Sequence, residues 1–160
     1  MKIPETLSSI APFDWHAIGS AVLCGAIIGL ERQLRGKPVG IRTSSLIVLG
    51  TYVFIVISME VSNAAADPSR IIGQVVTGVG FLGAGVMLAK DGVVVGVTSA
   101  ATIWVLAAIG CCIPVVGGTV AIKLSLLVVA ILCGVDLLEE YSTTFSRGVH
   151  GRYSDWRGKN

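Results

Sequence analysis

Charge is scarce in this chain of 160 residues. Lys, Arg, Asp and Glu together make up 14% of it, where soluble domains carry about 25%. That excludes the composition of an ordinary water-soluble domain. The net charge of +2 is too small for a nucleic-acid surface. Trp15, Trp104 and Trp156 are also too scattered to stack bases, so no nucleic-acid partner is expected. Histidine is confined to His16 and His150, in opposite ends of the sequence, and Cys24, Cys111, Cys112 and Cys133 form no CxxC pair. Metal clusters and disulfide frameworks are thereby disfavoured, and small buried cysteines are expected instead. No nucleophile–base pair, paired catalytic carboxylates or phosphate-cradling loop is evident, so neither an enzyme nor a cofactor is expected. The first apolar run lacks a basic lead and a clear cleavage site, which argues against a secretory signal.

What the chain has in abundance is apolar length: 53% of residues are hydrophobic and the mean hydropathy is +0.81. The stretch 71–89 (IIGQVVTGVGFLGAGVMLA) carries no charge. As a helix it would be about 28 Å long, close to a hydrocarbon core of about 30 Å. Its glycines would weaken a helix in water, but lipid offers the backbone no other partners. Gly73, Thr77, Gly80 and Ala84 fall on one small-residue face, widened by Gly78, Gly83 and Gly85. Helices approach closely at such faces in lipid, so this stretch is expected to be the packing hub of a bundle. Residues 78–83 also spell GxGxxG. A dinucleotide site would need a strand before that motif and an acid about 20 residues after it. The positions there are Thr102, Ile103 and Trp104, which points back to packing.

Five spans are expected, at about 15–30, 43–59, 71–89, 93–112 and 115–137. They follow a polar lead, 1–14, and precede a polar tail, 139–160. The fold class is therefore an all-α membrane protein, a bundle of about five transmembrane helices. The first span carries Gly25 and Gly29 in a GxxxG face. The block from Glu31 to Arg42 contains Gly36, Pro38 and Gly40 and is expected to turn. Asp67 and Pro68 form a helix start, Lys90–Asp91–Gly92 a tight hairpin, and Pro114 with Gly117–Gly118 a break. Nine basic residues then lie on one side: Arg32, Arg35, Lys37, Arg42, Lys90 and the four of the tail. Lys2, Arg70 and Lys123 lie elsewhere. Positive residues stay inside, so the amino terminus is expected out and the carboxyl terminus in.

Charged and polar groups at membrane depth are expensive and point to function. The candidates are Glu31, Arg32, Arg42, Asp67, Arg70, Gln74, Thr98 and Thr102. Some could line a cytoplasmic polar cavity with Glu31 as its acid. The competing explanation is that the arginines anchor at headgroups and the hydroxyls bond back to their own helices. Glu31 is expected beside Arg42, because the turn between the first two spans is short. No metal site is assigned; apart from Asp91 and Asp136, Glu31 is the acid near a span end that could serve as an oxygen ligand.

Gly29-Leu30-Glu31-Arg32-Gln33, Gly40-Ile41-Arg42-Thr43, Asp67-Pro68-Ser69-Arg70-Ile71, residues 80–85 (GFLGAG) and residues 98–104 (TSAATIW) stand in the order and spacing of the MgtC/SapB family. The chain resembles that family over about residues 15–138. The resemblance implies a multi-pass protein of the bacterial inner membrane, linked to low-magnesium adaptation. For MgtC itself it implies a part in virulence and a membrane partner, the F-type ATP synthase. Two departures weaken transfer of those roles: the sequence ends about twenty residues after the last span, without MgtC's soluble carboxyl-terminal domain, and Ser44 stands where many relatives have histidine. The expected function is a non-enzymatic regulator that packs against itself, as a homo-oligomer, or against a membrane partner. The alternative is a transporter or channel for Mg²⁺ or another cation.

Overall fold

A computed structural model describes residues 10–61, 68–90 and 93–141. Five α-helices occur among them: α1 (Trp15–Leu34), α2 (Ile41–Val61), α3 (Pro68–Gly85), α4 (Val97–Val116) and α5 (Gly118–Tyr141). Four of these, all but α3, are long and apolar enough to cross a membrane. The outward surfaces of the bundle are apolar too: Leu34, Phe54 and Trp15, and Phe81 on α3, are all mostly exposed. Water would penalise so large a continuous apolar surface and lipid does not. The molecule is an all-α membrane protein.

The chain divides into two compact units, one up to Leu126 and one from Leu127 onward. The first holds α1–α4 and the opening of α5. The second, among the described residues, is the remainder of α5, still apolar through Val135.

Within the first unit, α1 and α2 form a tight antiparallel pair. Asp14 caps α1 by accepting a hydrogen bond from the Ala17 amide at 2.9 Å. The helix ends at Arg35, and Gly36, at φ +62°, turns the chain where a side chain would be strained. A β-carbon on Gly29 would sit 2.5 Å from Ile41 Cα, and one on Gly25 would strike the Ser45 backbone. The two helices thus touch backbone to backbone, and Ser45 Oγ donates across the seam to the Val22 carbonyl at 3.2 Å. Helix α4 packs on the same pair. A β-carbon on Gly110 would lie 2.7 Å from the Val48 carbonyl oxygen, and Ile28, Val48, Leu106 and Ile109 are fully buried.

These contacts set the directions. Ser99, near the start of α4, meets Arg32, near the end of α1, so α4 begins at the end of the bundle where α2 begins. The chain leaves α2 at the opposite end and must cross back before α4 can start. Helix α3 makes that return, with Gly83 in van der Waals contact with Ala100. Its 18 residues rise about 27 Å. The opening of α5 lies beside α1, with Gly118 against Ser20.

The structure corrects several expected boundaries and the expected hub. The third apolar stretch does not stay helical to residue 89. Leu88–Lys90 and Val93–Val95 form an antiparallel two-stranded hairpin, with Ala89 opposite Val94. A run of three valines favours that pairing. Gly96, at φ +91°, leads into α4 with its α-carbon against the Val86 carbonyl. Glu31 to Leu34 belong to α1 and not to the turn. Pro114 sits in the last turn of α4 without ending it, and the helix stops at Gly117. Among the described residues, no atom beyond the local helix backbone lies within 4 Å of a β-carbon on Gly73, Gly78, Gly80 or Gly85. Close packing is therefore centred on α1 and α2, with Gly83 the one α3 glycine in contact. The GxGxxG residues lie inside continuous helix, with no strand ahead of them among the described residues, which is not the dinucleotide arrangement.

Candidate functional site

Three features hold the polar residues singled out by sequence. The first is a buried charge cluster where α1 ends and α4 begins. Glu31 and Arg32 are 8% and 4% exposed, unusual for charges unless partnered. Arg32 Nη2 donates to Ser99 Oγ at 2.8 Å across 67 residues of sequence, and Ser99 is itself buried. Arg35 Nε lies 2.7 Å from Glu31 Oε1, one helical turn away. That is an ion pair by distance, yet neither carboxylate oxygen completes a hydrogen bond and Arg32 Nε is likewise unsatisfied. A buried polar atom left so costs about 1–3 kcal/mol. Glu31 therefore pairs with Arg35 and not with Arg42. The helix runs on past Glu31 and brings residue 35 onto its face before the turn begins.

The second feature is a groove of about 860 Å³ between α2 and α3. Arg42 and Thr43 stand at one end, Ser58 and Val61 at the other, and Gln74 along the α3 wall. Apart from Thr51 the rest is apolar, with Gly50 and Gly78 on opposite walls. Arg42 and Gln74 are exposed, and Arg42 has no ion pair among the described residues.

The third feature is the outward face of α3. Gly73, Thr77, Gly80 and Ala84 are all exposed, and Thr77 Oγ1 donates back to the Gly73 carbonyl at 2.9 Å. The other hydroxyls behave similarly: Thr102 bonds the Thr98 carbonyl, Ser44 that of Val39 and Ser125 that of Ala121. Thr102 is buried and Thr98 exposed. These residues do not converge with Glu31 and Gln74 on one polar cavity, because the Thr77, Thr102 and Ser125 hydroxyls are spent on their own helices and that of Ser44 on the turn before α2. Arg70 is exposed in the first turn of α3, and Asp67 lies outside the described residues. Ser99 is the partner that sequence reasoning did not single out for Arg32; no local spacing signals a pairing so distant.

The fold and these features accompany clear kinship. The MgtC family profile matches residues 18–141. Over 107 residues the chain is 49% identical to the Escherichia coli K12 protein named "Putative magnesium transporter YhiD", covering 62% of this chain and 49% of that protein. Over 91 residues it is 47% identical to Protein MgtC of Salmonella typhimurium 14028s, covering 57% of this chain and 38% of that protein. The chain thus spans about half the length, or less, of these curated relatives. No solved structure matches it. With a profile match across most of its length, the chain belongs to the MgtC family.

Proposed function

We propose that this protein is a non-enzymatic regulator in the bacterial inner membrane that acts in magnesium homeostasis by packing α3 against another membrane helix. The partner is a second copy or a larger membrane complex, and the F-type ATP synthase is the candidate that the MgtC resemblance brings. The charge cluster faces the cytoplasm, as expected for its basic side. The observation that carries the proposal is the outward face of α3, where nothing among the described residues lies within 4 Å of a β-carbon on Gly73 or Gly80. Small residues let backbones approach closely, which is how helices associate without a hydrophobic driving force in lipid. The link to magnesium rests on the name of the YhiD relative.

Cation transport is the second possibility, favoured by one observation: an acid, Glu31, buried at the end of a span. Arg35 already sits on that acid at 2.7 Å, so a cation would have to displace a guanidinium. The two functions separate experimentally. A Gly73→Leu, Gly80→Leu variant meets only open space among the described residues, so it should fold. Its complexes in native-detergent electrophoresis should shrink, while Mg²⁺ flux in proteoliposomes stays at the background of empty vesicles. Unchanged complexes, together with flux that disappears in Glu31→Gln, would favour the transporter.

A further inference from the structure

The groove between α2 and α3 is a feature the proposed function does not use, since the docking face of α3 points elsewhere. Its walls are mostly apolar, with Thr51, Ser58 and Gln74 as neutral polar groups along them, and its one charged lining residue, Arg42, stands at one end beside Thr43. That end adjoins the turn carrying Arg35 and Lys37. The acid at that end of α1, Glu31, is occupied by Arg35, so Arg42 has no ion pair among the described residues at the depth where a span begins. An apolar trough with a basic group at one mouth is complementary to one class of molecule. Acyl chains fill the trough, and a phosphate meets the guanidinium.

We propose that this groove binds an anionic phospholipid of the leaflet on the basic side, its chains lying between α2 and α3 and its phosphate held by Arg42. Basic pockets between transmembrane helices on the cytoplasmic side suit such headgroups, and arginine suits phosphate through its forked donors. Gly50 and Gly78 widen the trough from opposite walls, and nothing among the described residues lies within 4 Å of a β-carbon on either. Larger side chains there would occupy the lipid's space without striking the protein.

The test is native mass spectrometry of the full chain released from nanodiscs of phosphatidylcholine and phosphatidylglycerol with identical acyl chains. The wild type should retain phosphatidylglycerol in preference to phosphatidylcholine. Arg42→Gln should lower that preference about fivefold, the equivalent of the ~1 kcal/mol that one basic residue contributes toward an anionic leaflet. Arg42→Lys should keep most of it. A Gly50→Leu, Gly78→Leu variant should retain neither lipid, with thermal unfolding unchanged in detergent as the check that it folds. Equal retention of both lipids by the wild type, or full retention by the double leucine variant, would overturn the proposal. So would cross-linking between two copies through cysteines at positions 50 and 78, which would place a second copy's helix in the groove.

Discussion

Replacing Gly29 with alanine adds a single methyl group, and the structure assigns it a definite place. The new carbon would lie 2.5 Å from Ile41 Cα, 2.7 Å from Ile41 N and 2.9 Å from Gly40 C. Carbon contacts settle at about 3.5–4.0 Å, so α1 and α2 would have to part by about 1 Å. Overpacking of this kind costs about 1–3 kcal/mol. Alanine's better helix propensity offsets about 1 kcal/mol of it, leaving a net loss of about 0–2 kcal/mol. Gly80→Ala is the matched control: nothing lies within 4 Å of its added methyl, so propensity alone acts and stability is unchanged or slightly raised. Reversible unfolding of the monomer in mixed detergent–SDS micelles measures both. Equal losses at the two positions, or a larger one at Gly80, would refute the assignment of close packing to α1 and α2.

Ser99→Ala removes the buried acceptor of Arg32 Nη2 and should cost about 1.5–3 kcal/mol in the same unfolding assay. Thr98→Ala, at an exposed neighbour, should stay within about 0.5 kcal/mol. Glu31→Gln keeps shape and removes charge. Because Arg35 is about a third exposed, the loss should fall between the extremes for surface and buried pairs, at about 1–3 kcal/mol. Arg42→Gln should leave stability unchanged; a loss equal to that of Glu31→Gln would restore the Glu31–Arg42 pairing. Gly96→Ala forces a side chain into a left-handed backbone against the Val86 carbonyl and should destabilise by about 1–3 kcal/mol, visible as loss of folded protein on size exclusion.

Apolar length and the breaks between spans made the number and order of helices legible in the sequence, because lipid makes both directly physical. Gly25 and Gly29 were legible as a close-approach face for the same reason. The third helix shows where this kind of inference stops. A stripe of small residues states that a backbone can come near, but not whether that backbone belongs to the same chain, and Gly73 and Gly80 face outward. Gly110, which does touch α2, stood in an apolar run with no marking pattern. The Glu31–Arg35 pair had the right spacing for a helix, yet the glycines and proline that follow it suggested that the helix had already ended. Arg32 and Ser99 meet only because α3 carries the chain back across the bundle, and no local pattern encodes that return.

The central claim is that the small-residue face of α3 receives another helix. Cysteine cross-linking in native membranes tests it most directly, in a protein freed of Cys24, Cys111, Cys112 and Cys133. Gly80→Cys, on the outward face of α3, should yield a cross-linked species with a second copy or a membrane partner. Leu23→Cys, exposed on α1 but outside any small-residue face, should yield far less. If Gly80→Cys stays uncross-linked, or cross-links no more than Leu23→Cys, the outward face of α3 meets lipid alone and the claim is contradicted.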